Sequence, residues 1–256
     1  MSAMTQTVLL AIDTSTEFCS VALLVAAAAA DDAPSIRTWV RHERTGAVSS
    51  TRVLPAVREV LDEARRAFDD CDAIAFGAGP GSFTGLRTAT GVVQGLAFGR
   101  ALPVVPVGTL VACAEAARLN AGGAAGRVTR VLAALDARMD EVYWADYAWD
   151  EAAGEWREIA PASLAAPADV RVPDAPFVLA GNAAHAFGDR LPACARAQAI
   201  DPDALPHALP IAHVALRAYR AGRVVPADRA APEYVRDKVA QTTAERLAAR
   251  ADGGSR

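Results

Sequence analysis

Four polar residues near the start of the chain have side chains suited to phosphate and metal chemistry. They join two apolar runs, 8–12 and 18–25, and are Asp13, Thr14, Ser15 and Thr16. The backbone N–H groups and hydroxyls of such a turn can cradle a phosphate, and Asp13 at a strand end can hold a hydrated Mg²⁺. The same residue types also close hairpin turns by bonding the backbone alone. The segment by itself leaves both interpretations open.

A glycine-rich segment between a short apolar run, 73–76, and a helical pattern is the second candidate. It reads Gly77, Ala78, Gly79, Pro80, Gly81, Ser82, Phe83, Thr84, Gly85, Leu86, Arg87. Glycine lets a backbone come close to a ligand, and Ser82 or Thr84 can cap a helix whose positive end favours anions. A dinucleotide fingerprint would need glycine at position 82 and an acid about twenty residues later, and neither is present. Anion binding and a tight packing turn both remain open.

The helix predicted over 84–100 carries a stripe of glycines, Gly91, Gly95 and Gly99, at steps of four residues. Each interior glycine costs about 1 kcal/mol relative to alanine, so the stripe indicates that another backbone approaches closely. That backbone could belong to the protein's own sheet or to a second chain. The opposite side of the helix is apolar as well, with Leu86, Ala89, Val93 and Leu96, which predicts a helix between two layers.

Several chemistries are excluded by what the sequence lacks. The only lysine is Lys238, far from every glycine-rich segment, so a P-loop with its lysine is absent. The cysteines and histidines show no C-x-x-C, H-x-x-x-H or H-E-x-x-H spacing; they are Cys19, Cys71, Cys113, Cys194, His42, His185, His207 and His213. We therefore expect no metal site and no cofactor.

Composition sets the broad class of the protein. The chain has 256 residues, of which 52% are hydrophobic and 22% charged, as in folded globular proteins. A net charge of -4 without a basic run makes direct nucleic-acid binding by the chain alone a poor expectation. No signal peptide and no stretch of membrane-spanning length is recognisable, which predicts a cytoplasmic protein without membrane contact.

Periodicity predicts an α/β protein, and a length of 256 residues fits either one large domain or two compact lobes. Strands are expected at 8–12, 18–25, 36–42, 73–76, 102–107, 128–135, 141–147, 156–159 and 177–180. Helices are expected at 51–66, 84–100, 109–119 and 211–220. The segment 120–127, rich in glycine and alanine, is the predicted boundary between a lobe of residues 1–119 and a lobe and tail of residues 120–256.

Taken together, four blocks in order resemble one bacterial family, TsaB, also called YeaZ. The blocks are 11–16 with Asp13; 73–87, continued by 94–97; 135–143; and 232–236, which reads Pro232, Glu233, Tyr234, Val235, Arg236. One departure is visible, since Ser49 stands where members of the family often have a histidine before the first helix. This chain therefore has a hydroxyl at that position in place of an imidazole.

The resemblance implies two ribonuclease-H-like lobes of the actin, Hsp70 and sugar-kinase superfold. It also implies a part in making threonylcarbamoyladenosine beside the anticodon of tRNA. In that family the transfer of threonylcarbamoyl is carried out by TsaD with the ATPase TsaE, and TsaB is a non-catalytic subunit that binds TsaD. Under this hypothesis tRNA is contacted only through the complex, and the free chain can form a homodimer through the same helices.

The resemblance also assigns the candidate residues. The phosphate loop would be degenerate, with no catalytic residue among Asp13, Thr14, Gly79, Gly81, Ser82 and Thr84. The partner-binding residues would lie on the two helices of the first lobe: Val53, Val57, Leu61, Thr88, Gly91, Val92, Gly95, Leu96 and Gly99. The rival hypothesis is an ATP-dependent small-molecule phosphotransferase of the same superfold. Its second acidic motif and its adenosine-binding motif would have to be supplied by Asp136 and by 180–182, which match poorly.

Overall fold

The structure is a computed structural model that describes residues 6–27, 35–122 and 128–236. Ten strands form two five-stranded sheets. The first sheet contains β1 (Gln6–Asp13), β2 (Phe18–Ala27), β3 (Ile36–Arg44), β4 (Ala73–Gly79) and β5 (Val104–Gly108). The second contains β6 (Arg130–Asp136), β7 (Val142–Asp150), β8 (Glu155–Ala165), β9 (Val178–Ala180) and β10 (Ala199–Asp201).

Both sheets combine antiparallel hairpins with parallel neighbours. The first has the order β3-β2-β1-β4-β5, and the second has the order β10-β9-β6-β7-β8. In the first sheet β1, β2 and β3 pair antiparallel, while β1, β4 and β5 are parallel. Six α-helices within the described residues accompany the sheets: α1 (Ser49–Ala64), α2 (Phe83–Arg100), α3 (Thr109–Asn120), α4 (Ala183–Phe187), α5 (Ala193–Arg196) and α6 (Ala208–Arg220).

The first sheet is covered on both faces because its central strands are apolar on both sides. Helices α1 and α2 pack on one face over alternate residues of β1, such as Leu10 and Ile12. Helix α6 packs on the other face over Leu9 and Ala11. Helix α3 lies against α6 and also against β6 and β7 of the second sheet, so these two helices stand between the sheets.

The prediction of an α/β protein with two ribonuclease-H-like lobes is confirmed. The predicted hairpin is present, since β1 and β2 pair antiparallel from Gln6 with Ala27 to Asp13 with Ser20. Strand β8 is longer than expected, and β10, α4 and α5 were not expected. No helix among residues 6–27, 35–122 and 128–236 is long and apolar enough to cross a membrane.

The division at residue 119 stays a prediction. All strands of the first sheet precede it and all strands of the second sheet follow it. Helix α6 follows it too, yet this helix packs on the first sheet, where Ser20 Oγ accepts a hydrogen bond from Ala208 N at 3.0 Å. Part of the predicted boundary segment, 123–127, lies outside the described residues.

Candidate functional site

The two loops singled out from the sequence lie directly against each other. The turn after β1 and the loop between β4 and α2 meet because β1 and β4 are parallel neighbours whose carboxyl ends share one edge of the sheet. Thr14 Oγ1 donates to the carbonyl oxygen of Gly85 at 2.6 Å. Ser82 N donates to Ser15 O at 2.8 Å. Two of the groups expected to bind phosphate, the Thr14 hydroxyl and the Ser82 N–H, therefore donate to carbonyl oxygens of the chain itself.

The glycines of this loop are required by close contacts inside the chain. A Cβ on Gly85 would overlap the carbonyl oxygen of Thr14, and one on Gly81 would lie 2.7 Å from Ser15 O. A Cβ on Gly77 would overlap Oδ1 of Asp13. At α2 the predicted cap is present, since Ser82 is the N-cap and its hydroxyl accepts from Gly85 N at 3.4 Å. Thr84, in the first turn, is exposed.

Asp13 is buried. The residue is 1% exposed, and its Oδ1 faces Gly77. Its other oxygen, Oδ2, accepts from Ser15 Oγ at 3.0 Å. Burial raises the pKa of this carboxyl from 3.8 to about 7, although the hydrogen bonds from Ser15 act in the opposite direction. An enclosed carboxyl whose pKa is raised by burial is a poor ligand for a hydrated Mg²⁺.

A cleft of about 1110 Å³ opens between the two sheets, beside these loops. Its wall on the first sheet includes Thr14, Gly81 and Ser82, and its wall on the second includes Asp136 and Asn182. These opposite residues are engaged within their own lobe, because Asn182 Oδ1 accepts from Asp136 N at 2.9 Å and Asp136 Oδ1 accepts from Arg138 N at 2.8 Å. The structure thus brings the candidate motifs of the rival hypothesis to one cleft, where Thr14 Oγ1, Asp136 Oδ1 and Asn182 Oδ1 already have hydrogen-bond partners within the chain.

Residues 233–236, at the end of the segment 230–236, also line this cleft. Glu233 N donates to Ala78 O at 2.7 Å, and a Cβ on Gly79, whose φ is +123°, would lie 2.5 Å from Glu233 O. The backbone of the tail therefore rests on the glycine-rich loop. Beyond it, Arg236 reaches the turn between β6 and β7 and donates to Glu141 Oε2 at 2.5 Å.

Groups that could ligate metal are scattered. In the part of the chain that the structure describes, no three His, Cys, Asp or Glu side chains come together as a metal site. His42 and His207 form a pair with ring centroids 5.2 Å apart, and burial lowers the pKa of both. Lys238 lies outside the described residues.

The glycine stripe of α2 faces open space. A Cβ built on Gly91, Gly95 or Gly99 would meet nothing within 4 Å. The opposite side of the helix is buried in the chain's own core through Leu86, Ala89, Val93 and Ala97. Near the end of the stripe the side chain of Phe98 is 80% exposed. We call the exposed surface made by Thr88, Gly91, Val92, Gly95, Phe98 and Gly99 the α2 face.

Comparisons with known proteins agree on one small group. A family model described as "TsaD: tRNA N6-adenosine threonylcarbamoyltransferase" matches residues 43–250. The "tRNA threonylcarbamoyladenosine biosynthesis protein TsaB" of Escherichia coli K12 is 35% identical over 237 residues, covering 91% of this chain and 96% of the relative. This chain belongs to the TsaB family.

Two further relatives support the TsaB assignment. The TsaB protein of Haemophilus influenzae is 40% identical over 166 residues, which cover 62% of this chain and 64% of that protein. The solved structure of "YeaZ from Pseudomonas aeruginosa" superposes with a TM-score of 0.77 at 41% identity, covering 89% of this chain and 99% of that one.

One part of the partner surface expected from the TsaB resemblance needs correction. Val53, Val57 and Leu61 on α1 were expected to bind a partner, but their side chains are buried in the chain's own core against the first sheet. They form the inner stripe of the amphipathic helix, so a partner cannot reach them. The outer side of α1 presents Leu54 instead, which is 53% exposed. On α2, Val92 and Leu96 are only partly buried.

Two features of this TsaB-family site, Phe98 and the contact of Tyr234, were missed at the sequence level. Phe98 could have been found, because it lies three residues after Gly95 and shares its side of the helix. The contact of Tyr234 with Phe83, with ring centroids 5.7 Å apart, had no sequence signal because 151 positions separate the two residues. Ser49, at the position of the family histidine, is buried, and its hydroxyl donates to Gly46 O at 3.0 Å.

Proposed function

We propose that the chain acts in the biosynthesis of threonylcarbamoyladenosine in tRNA as a non-catalytic subunit that binds TsaD through the α2 face. The family assignment supports the pathway, since the relatives that match over most of their length are named for it. The observation that carries the proposed role is the open glycine stripe. Nothing in the described chain explains three helical glycines that face empty space.

The physical argument rests on helix energetics. Three interior glycines on one side of α2 cost about 3 kcal/mol relative to alanine. Inside the chain that cost has no compensation, because alanine would fit at each position. A second backbone packed on the stripe would supply the compensation, as small residues permit close approach. The exposed ring of Phe98 adds the kind of aromatic anchor that is enriched at interface centres.

The state of the loops supports a role without chemistry on this chain. Thr14 Oγ1 donates to Gly85 O, Ser15 Oγ donates to Asp13 Oδ2, and Ser82 N donates to Ser15 O. Asp13 itself is enclosed. A kinase of this superfold would need these groups free to meet phosphate and Mg²⁺. In the proposed complex, TsaD carries the threonylcarbamoyl transfer and TsaE assists it. This subunit contacts tRNA only through the complex and is cytoplasmic.

Size-exclusion chromatography with purified cognate TsaD tests the proposal. The wild-type chain should co-elute with TsaD, whereas Gly95→Glu should elute separately while melting no lower than the wild type. A carboxylate buried without a partner costs several kcal/mol in an interface and little on an open surface. Ala186→Glu, at an exposed position of the short helix α4, is the matched control and should still co-elute. A wild-type chain that never co-elutes with TsaD would contradict the proposal.

Two related expectations follow from the same face. In the absence of TsaD the chain can pair with itself through α2, and Gly95→Glu should then convert a dimer into a monomer. The rival, an ATP-dependent phosphotransferase, is tested by calorimetry with ATP and Mg²⁺ on the isolated chain. We expect weak or no heat of binding. Micromolar affinity for ATP would favour the rival. It would mean that the hydrogen bonds between the turn after β1 and the glycine-rich loop open to admit a nucleotide.

A further inference from the structure

The segment that follows α6 runs along the first lobe before it reaches the second. We call its last part, residues 230–236, the strap. Val225 pairs with Val104 at the edge of β5 through two backbone hydrogen bonds of 2.8 Å. Ala227 and Ala230 are then buried in the core beneath α2. Gln94 Nε2 of α2 donates to Ala230 O at 2.8 Å. The strap is thus fixed to the inner side of the helix whose outer side is the α2 face.

The middle of the strap contacts the first turn of α2. The ring of Tyr234 packs on Phe83, and its hydroxyl accepts a hydrogen bond from Arg87 Nε at 3.2 Å. Arg87 in turn lies over the Phe83 ring, with its guanidinium carbon 3.9 Å from the ring centroid. Glu233 holds the adjacent glycine-rich loop through Ala78. A movement of the start of α2 therefore moves the strap.

The end of the strap is fixed in the second lobe by one side chain. The guanidinium of Arg236, whose side chain is 12% exposed, donates to Ala137 O at 3.2 Å and to Glu141 Oε2 at 2.5 Å. A third contact joins it to Met139 Sδ at 3.2 Å. All these partners belong to the turn between β6 and β7, which borders the cleft.

That turn is a strained element. Arg138, Met139 and Asp140 all have positive φ, between +55° and +63°, although none is glycine. Side chains with a Cβ disfavour this region, and such residues persist only where the surroundings hold them. Besides its own hairpin, the surroundings here are Arg236 and an ion pair between Arg190 and Asp140. In a variant without Arg236, fewer contacts would hold the turn in its positive-φ conformation.

We propose that the strap 230–236 couples the start of α2 to the β6–β7 turn, so that a protein seated on the α2 face changes the turn that borders the cleft. The inference rests on the proposed function for the identity of that protein, but the coupling itself belongs to this chain. The coupling requires that the two ends of the strap respond to each other. Tyr234 fixes one end to the start of α2, and Arg236 fixes the other end to the β6–β7 turn. Coupling of this kind is reciprocal.

Hydrogen–deuterium exchange on the isolated full chain tests the coupling in both directions. Tyr234→Ala alters the strap in the first lobe and should speed exchange of the Ala137 and Glu141 amides in the second lobe. Arg236→Gln alters it in the second lobe and should speed exchange of the Ser82 and Leu86 amides in the first. We expect about tenfold faster exchange at each distant end, which corresponds to the loss of one charge-assisted hydrogen bond.

Arg229→Gln is the matched control, since this exposed arginine lies in the same part of the chain, and it should change neither end. Unchanged amides in β1 and β4 show that the variants remain folded. Faster exchange confined to the mutated end in both variants would overturn the coupling.

The TsaD complex provides the second arm. Docking of TsaD should slow exchange at 137–141 in the wild-type chain and leave it unchanged in Arg236→Gln. Protection of the turn that is equal in both chains would overturn the inference. Coupling in the isolated chain with no complex formation would contradict the proposed function alone, so the two failures are distinguishable.

Discussion

Glycine serves two different purposes in two neighbouring regions of the first lobe. In the glycine-rich segment 77–87, Gly77, Gly81 and Gly85 each touch another part of the chain so closely that a Cβ would collide. Along α2, Gly91, Gly95 and Gly99 touch nothing. The first set is explained by the fold. The second set has no contact within the described chain that would explain it, and under the proposed function a partner backbone packs there.

The largest effect should come from filling the tight region. In Gly85→Ala the new methyl group would overlap the carbonyl oxygen of Thr14, and a backbone atom cannot move aside without separating the two loops. We expect the free energy of unfolding to fall by about 4 kcal/mol in urea titrations. The same substitution at Gly95 is the control. A melting temperature for Gly85→Ala equal to that of the wild type would show that the contact with Thr14 does not require glycine at position 85.

The enclosed carboxyl beneath the same loop gives a pH dependence. Burial raises the pKa of Asp13 from 3.8 to about 7, so the folded chain keeps a proton that the unfolded chain has released. The free energy of unfolding therefore falls as the pH rises between these two values. We expect the titration of Asp13 to lower the free energy of unfolding by about 3 kcal/mol between pH 5 and pH 8. Urea titrations of Asp13→Asn should lack this loss, and an identical pH dependence in both chains would show that Asp13 titrates normally.

Helix α1 offers the same contrast between an inner and an outer residue. Val53→Ala should lower the free energy of unfolding by about 2 kcal/mol, because it leaves a cavity in the core. Leu54→Ala, its neighbour on the outer side, should change it by less than about 0.5 kcal/mol. Thermal melts of the two variants are the measurement. Equal losses would mean that Leu54 is covered by the chain itself.

The smallest effect has the opposite sign. Gly95→Ala should raise the free energy of unfolding of the isolated chain by about 1 kcal/mol, since alanine is the better helix former and nothing obstructs its methyl group. Gly91→Ala and Gly99→Ala should behave alike, and the three increments should add, because the methyl groups do not meet. A loss of stability in any of them would mean that the stripe is packed.

Local sequence patterns predicted the elements that surround the site. The apolar runs on either side of Asp13 predicted the hairpin, and the apolar spacing of α2 predicted its buried side. Such patterns carry no information on which apolar side meets a partner. Val53 was therefore placed in the partner surface although it lies in the core.

Other features depend on contacts between residues distant in sequence. The contact of α6 with Ser20 spans 188 positions, and that of Arg87 with Tyr234 spans 147. Single-sequence reasoning has no means to find them. The short strand β10 and the short helices α4 and α5 were missed for a related reason, since three to five residues are too few to show a period.

One titration tests the central claim most directly: the affinity of TsaD for a chain in which Gly91, Gly95 and Gly99 are all replaced by alanine, measured by calorimetry beside the wild type. The account predicts a triple variant that is more stable on its own yet binds TsaD at least about tenfold more weakly, because three methyl groups keep the partner backbone away. Wild-type affinity in the stabilised variant would contradict it.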